Sequence, residues 1–461
     1  MRVDRARSRT IDEGLARIRR ELDLPPGFPP DVLAAAERAV ERGAGAEHVD
    51  RTDVHFVTLD PAEATDLDQA LHLERSGDDL VLHYAIADVG WFVHHDDPLD
   101  REAWRRGTTM YLPDGRVPLY PPVLSEGAAS LLPDGPRPAV VFTVRLRVDG
   151  TPTLDGVERA VVRSRAKLAY DRVRDGDLPV ELPEFARRMA IADERRGATR
   201  IDAPEQEVER DGDRYRIDYR PRLASEDHNA ALSLATNLAV ADALHAAGTG
   251  LFRTMAGPDD RHLKRLRHTA RALGIDWPDG RTLAEFERSL RAGDPAHAAM
   301  TLAIRRAGGA ARYEPFRPGE VPWHAAMAAT YSHATAPLRR LADRYVVLAA
   351  LAVANGDAVP AEVDAAFSRL PEVMSTADAN GNQLDRRVVD LVEAVVLHGR
   401  EGEAFAALVT DVDDRGARIQ LRDLAVVARV DATGVDPGQE LRVRLVDASP
   451  SARAVRFERV A

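Results

Sequence analysis

The spacing of apolar residues changes twice along the chain, and this excludes an all-helical or all-strand fold. From Val54 to about Val148 the apolar residues alternate or run together as strands do (VHFVTL, DLVLHYAIADV, AVVFTVRLRVDG), closing on an Asp149-Gly150 turn. Residues 157–220 mix a strand, helical stretches and a hairpin turning at Asp211-Gly212, and helical spacing dominates from Ala224 to Gly399. After Gly402 come AFAALVTDV, GARIQL, AVVARV, ELRVRLV and AVRFE, five short strands with turn residues between them, the count of an OB-type barrel. The first fifty residues read as helical. Thr10 and Glu13 form a capping box with Ile11, Leu15, Ile18 and Leu22 at helical spacing; four prolines between Pro25 and Pro30 interrupt, and Asp31–Gly43 gives a second helix. The expectation for 461 residues is an α+β protein of about three parts. These are a small helical unit over 1–50 (a helix-turn-helix or a packing arm), a mixed β-sheet core with surrounding helices over 51–400, and a β-barrel over 401–461.

Composition narrows the chemistry. There are no cysteines, so disulfides, thiolate metal sites and cysteine nucleophiles are excluded. The longest apolar run, Tyr345–Ala354, falls short of the roughly 18 residues of a membrane span. The Arg-rich start, which includes Arg2, has no apolar stretch behind it and carries Asp4, Asp12 and Glu13, unlike a signal peptide. A cytoplasmic protein without a membrane partner is expected. With 63 basic and 75 acidic residues the net charge is −12, and no global basic footprint advertises nucleic acid. Local clusters do exist: residues 1–20 hold seven Arg against three acids, and Arg261–Ile275 holds Arg261, Lys264, Arg265, Arg267 and Arg271 with no acid. Compositional bias towards Arg and phosphate recognition both account for them.

The sharpest local feature is Thr58-Leu-Asp60-Pro-Ala-Glu-Ala-Thr-Asp66-Leu-Asp68-Gln69. Asp66 and Asp68 share a face if extended. Asp60 would stand about 20 Å from Asp66 on a straight strand, but Pro61 invites a turn that folds it back. Carboxylates converging this way suit Mg²⁺ or Mn²⁺, which bind through a few carboxylates, waters and substrate phosphate; a solvated turn is the competing reading. A second constellation is Tyr331-Ser-His333-Ala-Thr335-Ala-Pro337-Leu-Arg339-Arg340-Leu-Ala-Asp343. Pro337 suits a first helical position with Thr335 as cap, so that Arg339 and Arg340 leave the first turn as a phosphate clamp. Alternatively Arg339 pairs with Asp343 at i,i+4.

Taken together these segments resemble the RNB family, the ribonuclease II and ribonuclease R exoribonucleases. The resemblance runs in order through the Asp60/Asp66/Asp68 motif, HYAIADVGWFV at 83–93, RGTTMYLPDGRVPLYPPVLSEGAASLLP at 106–133, SRAKLAYDRV at 164–173 and YSHATAPLRRLAD at 331–343, and the tail after Gly402 is similar to the family's S1-like OB domain. It implies an RNB catalytic domain that hydrolyses single-stranded RNA 3′→5′ to nucleoside 5′-monophosphates with Mg²⁺ (Mn²⁺ as substitute), in a chain expected to be monomeric. By motif, Asp60, Asp66 and Asp68 carry over as metal or terminal-nucleotide ligands, with Asp66 and Asp68 also catalytic. Arg339 carries over as the phosphate-binding catalytic Arg, and Tyr111 as the ring on which the last bases stack. The helical N-terminus stands where many relatives carry cold-shock barrels.

Three departures accompany the resemblance. Where the family motif ends Asp-x-Asp-Asp, this chain reads Asp68-Gln69, giving a neutral amide as metal ligand. Met255-Ala-Gly257-Pro258-Asp259 lacks the aromatic ring the family places nearby, and Asp385 stands for a family Glu that contacts the terminal ribose. Gln69 motivates an alternative, a catalytically impaired RNB-fold RNA-binding protein. His83, His228, His324 and His333 are expected to be structural. In the last barrel Arg418 and Arg422 alternate against Ile419 and Leu421, and Arg442 and Arg444 against Leu441, Val443 and Leu445. This puts Arg on one face, for an RNA backbone or for solubility, in a barrel whose only aromatics are Phe405 and Phe457.

Overall fold

A computed structural model describes the chain except for residues 1–3, 175, 200–204, 221, 292–293, 414–415 and 461; Arg2 therefore lies outside the described residues. Helix α1 (Arg5–Glu21) starts earlier than the Thr10 capping box suggested, because Asp4 accepts a hydrogen bond from the Arg7 amide and caps it. Thr10 lies inside the helix and donates to the Ala6 carbonyl. After the proline-rich break, α2 (Pro30–Glu41) begins on Pro30 itself, whose missing N–H costs a first helical turn nothing. The two helices enter different cores. Val32, Ala35, Ala36 and Ala39 of α2 join the large core, while Ile11, Leu15 and Ile18 of α1 join a second one.

The strand-rich region closes into a barrel of β1 (Val49–Asp60), β2 (Gln69–Ser76), β3 (Asp79–Ala87), β4 (Arg137–Leu146) and β5 (Pro152–Ala169). Neighbours in chain order pair antiparallel; closure is parallel, β1 against β5, from Val49 opposite Ala160 to Asp60 opposite Ala169. The mixed sheet expected from sequence is thus a closed one. β3 is apolar on both faces because both are covered: Leu80, Leu82, Tyr84 and Ile86 lie in the large core, and Ala85 lies in a smaller cluster with Phe56, Ala70, Ala139, Val141 and Ala160.

Helices α3 (Ala224–Ala246) and α4 (Leu341–Ala354) pack against β5 of this barrel, and α5 (Ala361–Leu397) packs on α4. The last spans both cores, with Leu370 and Met374 in the first and Leu384, Val388, Leu391 and Val395 in the second. The C-terminal barrel follows the sequence reading strand for strand: β6 (Ala404–Asp413), β7 (Gly416–Leu421), β8 (Val427–Asp431), β9 (Glu440–Ser449) and β10 (Ala454–Arg459), closed in the order β6-β7-β8-β10-β9. Strict alternation drives it, burying Leu441, Val443 and Leu445 between exposed Glu440, Arg442 and Arg444. Among the described residues no helix is long and apolar enough to cross a membrane.

Candidate active site

The site is built where the β1–β2 loop meets the segment before α4. Pro61 does turn the chain, with the Ala64 amide donating to the Pro61 carbonyl at 3.0 Å, so the loop folds back after Asp60. Asp68 is 4% exposed. Its Oδ1 accepts from the Leu338 amide at 2.7 Å and its Oδ2 meets Arg339 Nε at 3.3 Å, joining residues 271 apart in sequence. Arg339 is 42% exposed, and among the described residues its Nη1 and Nη2 carry no hydrogen bond to protein. These two donors stay free for an anion.

Helix α4 begins at Leu341 rather than Pro337. Pro337–Arg339 form a turn, so neither Arg leaves a helical first turn and the helix-dipole contribution expected from sequence does not apply. Nor does Arg339 pair with Asp343: Arg340 does, Nε to Oδ1 at 2.9 Å and Nη2 to Oδ2 at 2.8 Å, and Asp343 Oδ2 also accepts from the Ala336 amide at 2.8 Å. This buried staple shapes the turn that presents Arg339. From behind, the Thr109 amide and Thr108 hydroxyl both donate to the Arg339 carbonyl, at 3.0 and 2.7 Å. Gly107, at φ +70°, lets the chain pass α5 where a Cβ would come within 2.8 Å of Ala377 Cβ. On α3, Asn237 Oδ1 accepts from the Ala334 amide at 2.9 Å, and Ser233 shares a 2.7 Å hydrogen bond with Thr335.

Asp66 faces a short hairpin, Met110–Leu112 with Gly115–Val117. Its Oδ2 accepts from Tyr111 OH at 2.8 Å, and its Oδ1 pairs with Arg116, which also holds Glu126. Tyr111 is 49% exposed, a ring presented to solvent rather than packed in a core. Burial pushes both Asp60 and Asp68 up to about 7, the nearby Arg339 opposing and the Asp66 charge adding to the rise. Asp60 Oδ2 is buried without a hydrogen-bond partner. Sequence reasoning passed over Arg116, Lys167, Tyr84 and Tyr170. Asp60 and Arg339 lie close enough to Tyr84 and Tyr170 to act on their phenols, and burial raises both. Their signal was position alone: Tyr84, Arg116, and Lys167 with Tyr170 lie in the segments 83–93, 106–133 and 164–173 that carry the resemblance.

Gln69, read from sequence as a neutral metal ligand, is engaged at both ends. Its Nε2 donates to the Thr335 carbonyl at 2.8 Å and its Oε1 accepts from Tyr84 OH. It ties the β2 start to the Arg339 segment. Gln69→Asp is therefore expected to lower the unfolding free energy by about 1–3 kcal/mol, since it sets a carboxylate against a carbonyl. It should also leave turnover no higher than in the parent, as steady-state assays beside a denaturant titration would check.

Asp385 is exposed on α5, between Leu384 and Val388 that pack on the second core. The Arg face of the second barrel is partly neutralised across strands: Arg422 pairs with Glu440 and Arg444 with Glu458, while Arg442 has no ion pair among the described residues and Arg418 lies near Asp390 and Glu393. The histidines are structural where their contacts are seen. His333 Nδ1 and Tyr313 OH are 2.7 Å apart, and burial holds His333 well below the usual range and His324 at about 4.

A divalent cation fits the chemistry of this donor set, since Asp60 and Asp68 are buried carboxylates short of positive charge and one Asp60 oxygen is orphaned. Among the described residues no three acidic or histidine side chains converge on one point. Mg²⁺, however, commonly takes one or two carboxylates and completes its shell with water and substrate oxygens. Because folded Asp60 and Asp68 bind protons more tightly than the unfolded chain does, their contribution favours folding below pH ~4 and is lost as pH rises through about 7. The thermal midpoint of metal-free protein should fall across this window. Added Mg²⁺ should raise it more at pH 8 than at pH 5.5, a difference that differential scanning fluorimetry would read.

Comparison with known proteins fits this geometry. The profile described as RNB domain matches residues 48–353, and that of the RNase II-type exonuclease C-terminal S1 domain matches residues 403–460. The chain belongs to the RNB family. Ribonuclease R of Escherichia coli is 27% identical over 439 residues, 88% of this chain and 53% of the relative. Exoribonuclease 2 of Cronobacter sakazakii is 28% identical over 443 residues, 91% of this chain and 66% of the relative. The Ribonuclease R relatives are longer proteins, of which the chain spans 52–64%. Among solved structures, apo Mycoplasma genitalium RNase R superposes with a TM-score of 0.84 at 19% identity, covering 97% of this chain and 77% of the other. Yeast Ssd1, described as a pseudonuclease, gives 0.69 at 15% identity, covering 94% and 57%. The fold is therefore shared by proteins with and without nuclease activity, and the site has to carry the functional argument.

Proposed function

We propose that this chain is a metal-dependent hydrolase of single-stranded RNA, acting 3′→5′ and releasing nucleoside 5′-monophosphates. The observation that carries the reading is the Asp68–Arg339 pairing: a buried carboxylate and a half-exposed guanidinium with free Nη donors, beside Asp60 and Asp66. Asp60 and Asp68 would hold the Mg²⁺ (or Mn²⁺), which when bound polarises a phosphate and lowers the pKa of a water. Arg339 donates from Nη1 and Nη2 to the non-bridging phosphate oxygens as their charge grows, held at its Nε by Asp68. Asp66 keeps Arg116 and the Tyr111 hairpin in place, and the Tyr111 ring takes the last bases by stacking, without sequence preference. Incubating the protein with 3′-labelled single-stranded RNA and Mg²⁺ tests this directly; release of labelled mononucleotide is expected, and internal cleavage or no product would refute it.

Tyr111→Ala is expected to weaken oligoribonucleotide binding by about 1–3 kcal/mol, roughly 5- to 150-fold, as base–aromatic stacking is lost. Fluorescence anisotropy would measure it. Our reading of the division of labour is a helical part (1–50), a catalytic part (51–400) and an RNA-holding barrel (401–461), in a monomeric, cytoplasmic protein. The second reading, an RNA-binding protein without turnover, is favoured by one observation, the engagement of Gln69 at both ends. Binding without cleavage across Mg²⁺ and Mn²⁺ titrations would select it.

A further inference from the structure

Arg19, on the exposed flank of α1, reaches the turn of the hairpin that carries Tyr111. Its Nη1 and Nη2 donate to Asp114 Oδ2 and Oδ1 at 2.8 and 2.7 Å, a bidentate pair between residues 95 apart. The two side chains are 30% and 16% exposed, shielded enough for the fork geometry to hold. The hairpin it grips is short, three residues per strand, and such a ribbon is marginal by itself. One face is anchored apolarly, with Leu112 in the same core as Ile11, Leu15 and Ile18 of α1. The other face presents Tyr111 and Arg116 to Asp66. The helix is itself fixed at several points. Glu21 accepts from Arg387 of α5 at 2.8 Å and pairs with Arg453 of the second barrel at 2.7 Å, and Asp12 accepts from Tyr215 OH at 2.6 Å.

We propose that Arg19 is a positioning residue: by gripping Asp114 it fixes the Tyr111 hairpin against Asp66, so that a helix preceding the catalytic part sets where the terminal bases of the substrate stack. The geometric half of this inference stands by itself; its consequence for turnover rests on the RNA-hydrolysis reading. Arg19 touches none of the groups that meet the phosphate, so its effect passes through the hairpin alone.

Two measurements on the full chain test it. In Arg19→Ala, and independently in Asp114→Asn, amide exchange over residues 110–117 should quicken about 10-fold or more while β3 and β4 keep their protection. KM for a short oligoribonucleotide should rise about 5- to 10-fold with kcat within about twofold, and Arg19→Lys, which keeps the charge but not the fork, should recover part of the loss. On a Tyr111→Ala background the same Arg19→Ala change should add less than about twofold to KM, because the group it positions is gone. Unchanged exchange over 110–117, or an equal KM penalty with and without Tyr111, overturns the proposal. If the parent protein proves inactive, the function reading fails alone: the exchange arm still decides the geometry, and oligonucleotide affinity replaces KM in the cycle.

Discussion

Asp68→Asn is expected to lower turnover of single-stranded RNA by about 10²–10³-fold or more while leaving oligonucleotide affinity within a few-fold of the parent. The substitution keeps the side-chain shape, and the new Oδ1 can still accept from the Leu338 amide that Asp68 now holds at 2.7 Å. What disappears is a negative charge at a place where Arg339 and any bound cation both need it. Arg339 Nε, now 3.3 Å from an Asp68 oxygen, would face either a weaker neutral acceptor or an amide N–H that repels it. Binding depends mainly on groups away from this contact, among them the Tyr111 ring, so it should survive. Mononucleotide release followed beside anisotropy titrations separates the two effects, and a variant as active as the parent would remove Asp68 from the chemistry.

Breaking the staple behind Arg339 should have the largest effect on stability. Asp343 is fully buried and answers three donors, the Ala336 amide and two guanidinium nitrogens of Arg340. Asp343→Ala leaves the Arg340 charge, 21% exposed, without its partner in a mostly buried site, and such losses run to about 3–5 kcal/mol. A fall in the midpoint of denaturant unfolding of that size is expected, together with loss of activity as the Pro337–Arg339 turn loosens. Replacing both partners, Arg340→Met with Asp343→Leu, should recover most of the stability, since apolar side chains of similar volume can replace a buried pair. Activity should not return with it, because the Ala336 amide loses its acceptor and the turn its shape. Recovery of both would show that the staple serves stability alone.

How far the sequence could be read depended on the range of the interactions. Alternation along one strand is a local signal, and all five C-terminal strands follow it. The acidic motif and the Pro61 turn were legible for the same reason. What failed was pairing between strands and the start of helices. Arg422 and Arg444 alternate as expected, but their partners Glu440 and Glu458 come from the register of neighbouring strands, which one strand does not encode. Pro337 is as compatible with a turn as with a first helical position, since its fixed φ suits both. Moving the helix start to Leu341 changes the partner of Asp343 from Arg339 to Arg340. Gln69 stands where the family motif carries a carboxylate, but its two hydrogen-bond partners, 15 and 266 residues away, are not encoded nearby. The Arg19–Asp114 grip could not be foreseen either, as no short-range pattern links an early helix to a later hairpin turn.

The parallel seam between β1 and β5 has a consequence for synthesis. Asp60 sits at the end of that seam, opposite Ala169, so the nascent chain cannot enclose this carboxylate until residue 169 has left the ribosome. Arg339 follows 170 residues later, on the order of ten to thirty seconds at usual elongation rates. Through that interval the emerging polypeptide carries an unfinished acidic pocket without its guanidinium.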